Sequence, residues 1–220
     1  TGFKAKAVSG YVPTFLFFDS LKRREFPTTI TIRDSQKLNY LPEPDIFHDI
    51  AGHVPMHTDP AFADVLVKFG SLAEVAVNSH AHLSDENEKI RKIRSNIQAL
   101  ARFFWFTVEF GLMRERGNIC VYGSGLLSSA EEIEYAVTAS EVQRHPFQLE
   151  WVINQSFEFD RLQPLLFIVE SFDHLYREVE RLEEWLLSGR LDNVSPGEPE
   201  VSEMDLKIFL QQGKMEVGEP

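Results

Sequence analysis
The chain has 220 residues, 43% of them hydrophobic and 12% aromatic, enough to bury one large core. Its formal net charge of -12 disfavours nucleic acid and anionic membrane surfaces as partners, and the local basic run Lys22, Arg23, Arg24 does not reverse that balance. A single cysteine, Cys120, excludes an internal disulfide framework and a cysteine-based zinc site, no apolar run reaches the roughly 18 residues of a membrane span, and no signal segment opens the chain, so a soluble cytoplasmic protein is expected.

In chain order, Phe15, Phe17, Phe18 and Leu21 predict a helix over Thr14 to Arg24, and the β-branched run Thr28 to Ile32 predicts a short strand. Asp34 to Tyr40 reads as a loop or small β-ribbon. The two prolines of Leu41-Pro42-Glu43-Pro44-Asp45 exclude a helix interior but suit a helix start, with Asp45 as N-cap, a first helical residue near Ile46 and a stop around Gly52 to Pro55. Asp59-Pro60 starts a further helix that runs to about Val77. A long helical pattern over Asp85 to Met113 carries Ile90, Ile93, Ile97, Leu100, Phe104 and Val108 on one face and ends around Gly117.

Ile119 to Tyr122 is a candidate strand, Ser128-Ser129 precede a helix over Ala130 to Ala139, and Ser156 to Phe159 reads as extended. Leu165 to Val169 is apolar enough to be buried, and Ser171 to Leu187 is an amphipathic helix. The expected fold is mainly α, one catalytic domain over residues 1–189 with a few short strands. Residues 190–220 read as a linker, centred on Asn193 to Glu200, and a tail that is either a short docked helix or frayed.

Two histidines sit in an unusual setting, Phe47-His48-Asp49-Ile50-Ala51-Gly52-His53. In an ideal α-helix, residues five apart are rotated by roughly 140°, so His48 and His53 converge on one ion if the helix ends at Gly52 and the chain bends inward. The plainer reading is two imidazoles satisfied by backbone at a helix end, and on this segment alone both stand. Glu109 lies within an aromatic stretch, Phe103 to Leu112, where a buried carboxylate needs a cation or donors to compensate it. Two imidazoles and one carboxylate form the facial triad of non-haem Fe(II) oxygenases. Nearby, Arg33 can grip a carboxylate with its planar fork, Ser128 can fix the same group, and Trp105 and Phe110 can line a ring pocket; surface ion pairing and plain core packing are the competing readings.

Three segments carry a family resemblance: Pro42 to Pro55, Trp105 to Leu112 and Tyr122 to Ser129. Together, in this order and spacing, they resemble the signature segments of the pterin-dependent aromatic amino acid hydroxylases, and the similarity extends over about Val12 to Leu187. The resemblance implies iron ligands His48, His53 and Glu109. It implies substrate contacts from Arg33 and Ser128, with Pro44, Trp105 and Gly125 shaping the pocket. Phe17 would stack on the pterin, bordered by Gly10, Val12, Thr14 and Ala101. Asp49 stands where the family usually has a glutamate that reaches pterin through water, and it is carried over as a catalytic and cofactor-binding position beside Glu109. Leu41 replaces a threonine of the animal enzymes.

The implied reaction is ring hydroxylation of a free aromatic amino acid, L-phenylalanine to L-tyrosine, with Fe(II), tetrahydrobiopterin or a related tetrahydropterin, and O2. The partners are thus small molecules. No regulatory domain is legible before the catalytic part and no tetramerisation helix after Gly189, so a bacterial-type stand-alone form, monomer or small homo-oligomer, is expected; a start at Thr1 leaves a preceding segment open. Alternatives are a tryptophan or meta-specific phenylalanine enzyme of the same family, a zinc hydrolase using the same triad, and a non-catalytic metal-binding domain. The zinc reading lacks a general base at the His-Glu-x-x-His spacing.

Overall fold
The computed structural model describes residues 1–10, 12–35, 44–202 and 206–207, so Leu41 and the predicted ribbon beyond Ser35 lie outside the described residues. Strand β1 (Lys4–Val8) pairs in parallel with β2 (Glu25–Thr29), and α1 (Thr14–Lys22) is the crossover between them. A π-helical turn over His48–His53 follows, then the short α2 (Val54–Met56) and α3 (Pro60–Asn78). Helix α4 (Glu86–Phe104) runs directly into a second π-turn, Trp105–Glu109. Then come β3 (Leu112–Glu115), β4 (Asn118–Val121), α5 (Ser124–Leu127), α6 (Ala130–Thr138), β5 (Gln143–Pro146), α7 (Leu149–Asn154), β6 (Leu165–Val169) and α8 (Phe172–Leu187). Helix dominates, as expected.

Three helix starts expected from sequence carry side-chain N-caps in the structure. Asp59 accepts the Phe62 N–H at 3.0 Å, Ser129 the Glu132 N–H at 3.3 Å and Ser171 the His174 N–H at 3.0 Å, each replacing a donor bond that the first helical turn lacks. Helix α8 shows why these segments are helical: Leu175, Val179, Leu182 and Leu186 recur at one face and are all at most 1% exposed. At roughly 1.5–3 kcal/mol per buried side chain, that stripe alone docks the helix. It packs on α3, which in turn packs on α1 and α4, with Phe18, Phe69, Leu72 and Phe103 at the centre.

A four-stranded sheet in the order β4-β3-β6-β5 closes the other side. The predicted helix does not reach Met113, because Leu112 to Glu115 pairs antiparallel with β4 as a hairpin. Its turn, Arg116-Gly117, has φ of 50° and 85°, the left-handed pair that a two-residue hairpin turn requires. Strands β1, β3 and β5 and helices α5 and α7 are not among the elements expected from sequence.

The segment read as a linker is docked. Buried Arg102 of α4 donates to the carbonyls of Ile153, Ser195, Gly197 and Glu198 at 2.7–3.1 Å. Ser95 Oγ donates to Leu191 O at 2.6 Å and accepts the Val194 N–H at 2.9 Å. Its Pro, Gly and Ser content opposes regular structure without opposing packing. Arg102→Met removes every donor to these four carbonyls, so unfolding in urea is expected to show a loss of about 3 kcal/mol; a loss under about 0.5 kcal/mol would contradict this account of the strap.

Candidate metal centre
The first π-turn decides the geometry. Its backbone bonds run five residues back, as in the Val54 N–H to Asp49 carbonyl, so His53 lies over His48 instead of rotated away from it. The helix therefore does not end at Gly52; it widens. Asp45 caps its start as expected, accepting the His48 N–H at 2.9 Å. Gly52 is required here, since a Cβ would lie 2.6 Å from Ser124 O at the start of α5. The second π-turn, with Phe110 N–H bonded to Trp105 O at 2.9 Å, delivers Glu109.

His48 Nε2 and His53 Nε2 are 3.1 Å apart. Glu109 Oε2 is 3.5 Å from the former and Oε1 3.3 Å from the latter. Donor atoms about 2.1 Å from an ion and at right angles stand about 3.0 Å apart; the two imidazole nitrogens meet that spacing, and the Glu109 carboxylate, with one oxygen facing each of them, closes the third side of a site for a divalent cation. The charges fit too. Burial alone would raise the Glu109 pKa, but a hydrogen bond from His53 and positive charge at His53 and, when protonated, at His48 hold the carboxyl below its ordinary value. Burial pulls His48 down to about 4, so at neutral pH the imidazole is neutral and can donate a lone pair.

Ser128 sets which nitrogen does so. Its hydroxyl donates to Gly125 O at 2.7 Å, so its lone pair faces His48 Nδ1 at 3.1 Å and accepts that N–H, leaving Nε2 bare toward the triangle. His53 Nδ1, by contrast, is buried without a hydrogen-bond partner among the described residues.

Asp49 also lies within 4.8 Å of the two imidazole nitrogens and competes for the third corner. Its Oδ2 accepts the Thr29 N–H at 2.6 Å, and burial pushes its pKa up to about 6 against that bond. Glu109, with one oxygen on each imidazole, is the better donor.

Beside the triangle is a cleft of about 620 Å³ lined by Ile32, Arg33, Asp45, Phe47, Leu127 and Ser128, among others. Arg33 does not stand alone there. Its Nε and Nη2 donate to the two Asp45 oxygens at 2.7 Å each, and Nη1 reaches Ser128 O at 3.4 Å. Sequence reading took Asp45 for a cap alone; a carboxylate twelve residues after an arginine carries no periodic signal.

Phe17 is half-buried and meets Phe26 and Phe104 edge-on at 5.6 and 5.5 Å, while Phe26 lies 4.3 Å from the His53 ring. Thr14 opens α1, Gly10 (φ 80°) and Val12 lie in the connection before it, and Ala101 is one turn ahead of Trp105. Pro44 is exposed, ahead of the first π-turn, and Gly125 is buried against Phe110 and the Glu109 carbonyl. Trp105 is stacked on Phe157, a neighbour that sequence reading missed.

Two imidazoles and a carboxylate on one face, beside a cleft holding an arginine, are the donor set of mononuclear non-haem iron oxygenases. Residues 1–188 match the family described as biopterin-dependent aromatic amino acid hydroxylase, and the chain belongs to it. It is 36% identical over 176 residues to a phenylalanine-4-hydroxylase of Chromobacterium violaceum, covering 80% of this chain and 54% of that protein. A phenylalanine-4-hydroxylase of Mesorhizobium japonicum is 38% identical over 176 residues, with 80% and 58% covered. The crystal structure of the Chromobacterium violaceum phenylalanine hydroxylase with bound oxidised Fe(III) superposes with a TM-score of 0.74 at 32% identity, covering 92% of this chain and 68% of that one. The chain thus spans little more than half the length of these curated relatives.

The Arg33–Asp45 pair makes a pH prediction. Arg33's hydrogen bonds, opposed by burial and helped by the His48 and Arg33 backbone N–H groups, lower the Asp45 pKa from 3.8 to about 2. The unfolded chain binds this proton more readily, so the stabilisation is complete above about pH 4 and is lost as pH falls toward 2. Asp45→Asn is expected to lose at least about 2 kcal/mol at pH 7 and to show a flatter decline of stability through that acid window; a decline as steep as in the native protein would contradict the pairing.

Proposed function
We propose that residues 1–189 form the catalytic unit of a monooxygenase that hydroxylates the ring of a free aromatic amino acid, L-phenylalanine to L-tyrosine, with non-haem Fe(II), a tetrahydropterin and O2. The observation that carries this reading is the His48–His53–Glu109 triangle, with donor atoms 3.1–3.5 Å apart, set beside the Arg33 cleft. The names of the similar proteins, phenylalanine-4-hydroxylases, support the substrate. When bound, the iron and the reduced pterin supply the electrons and the activation of dioxygen.

The remaining work falls to the side chains. His48, His53 and Glu109 hold the metal from one side, leaving its other face for reactants. Ser128 keeps the His48 lone pair pointed at it. Arg33, oriented by Asp45 and next to Ser128, would meet the substrate carboxylate. Ile32, Phe47 and Leu127 add apolar surface to that cleft, which stays open to solvent at Ile32 and Phe47.

Trp105, Gly125 and Pro44 would border the ring, and Phe17 would stack on the pterin, with Gly10, Val12, Thr14 and Ala101 beside it. Asp49, which accepts the Thr29 N–H beside the triangle, would orient the pterin. The bulk of Trp105 favours phenylalanine over tryptophan, and Phe159 offers no acid to a tyrosine hydroxyl. The partners are small molecules, a net charge of -12 opposes nucleic acid, and the protein works in the cytoplasm as a monomer or small homo-oligomer.

The test is incubation of iron-loaded protein with a tetrahydropterin, O2 and a panel of aromatic amino acids, with products identified by mass. Tyrosine from phenylalanine is expected, and faster turnover of tryptophan would overturn the substrate. His48→Ala, His53→Ala and Glu109→Ala should each lose iron and product while keeping the fold; full iron occupancy with near-native turnover rejects that ligand. Trp105→Phe should shift kcat/KM toward tryptophan by about 10-fold, the scale of pocket-size discrimination.

A further inference from the structure
The Trp105 indole is held on several sides. Phe157 stacks on it with ring centroids 4.0 Å apart and planes 5° from parallel, and Phe110 lies 4.5 Å away with planes tilted by 33°. Its polar edge is turned to Gln163, with Nε1 3.4 Å from Oε1. Gln163 is 4% exposed. Its Nε2 donates to Glu158 O at 2.5 Å and to Arg161 O at 3.0 Å, which uses both amide protons. That pairing decides which end of the amide is the oxygen, because the flipped amide would set an acceptor against two carbonyls. The acceptor therefore faces the indole N–H, and the loop after α7 holds Trp105 by two buried side chains, Phe157 by stacking and Gln163 by this polar contact.

We propose that Gln163 is a specificity-determining positioning residue: through the Trp105 indole it sets the width of the ring pocket, and with it the preference for phenylalanine over tryptophan. This rests on the reading of the site given above. Gln163 acts at one remove. Without Oε1 the indole N–H must find another acceptor, the ring turns to reach it, and the wall that excludes a larger substrate ring moves. Trp105 opens the same π-turn that Glu109 closes, so the displacement also changes where the substrate ring sits relative to the metal.

The experiment is a double-mutant cycle on the iron-loaded protein. Gln163→Leu, with Gln163→Met as a second variant should the first fail to fold, is made in the native and in the Trp105→Phe background. Two ratios are read: kcat/KM for phenylalanine over tryptophan, and the calorimetric binding constants of the same two amino acids. In the native background both ratios are expected to fall by about 10-fold, with less hydroxylated product per pterin oxidised and an unchanged KM for pterin. In the Trp105→Phe background, where the N–H is gone, the substitution is expected to change neither ratio by more than about twofold. An equal effect in both backgrounds marks a merely structural residue and overturns the proposal, as does no effect in the native one. If the native protein yields no hydroxylated product while the binding ratio shifts as expected, the reaction assigned above fails and the role of Gln163 stands.

Discussion
The site depends on a backbone irregularity, two turns in which the hydrogen bond reaches five residues back instead of four. The first lays His53 over His48, and the second ends on Glu109 and releases the chain into β3. A regular α-helix would rotate the two imidazoles roughly 140° apart and no small ion could touch both. π-Turns are rarer than α-turns because their bonding is poorer, so something must hold them. Here the Asp45 cap fixes one end of the first turn, and the close contact of Gly52 with Ser124 fixes its far side. The second turn is anchored by Phe106, Thr107 and Val108, all at most 2% exposed.

A chain of polar contacts then joins the cleft to the triangle. Arg33 pairs with Asp45, Asp45 caps the turn at His48, and His48 leans on Ser128, whose carbonyl lies 3.4 Å from Arg33 Nη1. Each member is largely buried, so each bond is strengthened by its surroundings and each loss leaves a partner unsatisfied. The group that would meet a substrate carboxylate and the group that would hold a metal thereby share one rigid frame, which favours positioning over adaptability.

The helices were the legible part of the fold. Asp59-Pro60, Ser129 and Ser171 announce their caps, and the apolar stripes of α3, α4 and α8 announce their faces. The short exposed strand β1 shows no such pattern, and the expected helix overruns α4 because its apolar periodicity runs on through the second π-turn into Leu112 and Met113. At the site, the residue types were legible and their bonding was not. A five-residue spacing does not say which hydrogen bonds the backbone will make, and His48 and His53 were weighed against the wrong rotation. Asp45 signals only its cap and Gln163 signals nothing, because what gives each its further role is a partner distant in sequence, Arg33 for Asp45 and Trp105 for Gln163.

The central claim is that this triangle holds one iron ion through His48, His53 and Glu109. Crystals of iron-loaded protein, with diffraction collected on either side of the iron absorption edge, test it without any reaction. One anomalous peak within bonding distance of His48 Nε2, His53 Nε2 and a Glu109 oxygen is predicted. A peak elsewhere, or one bound by Asp49 with Glu109 turned away, would contradict it.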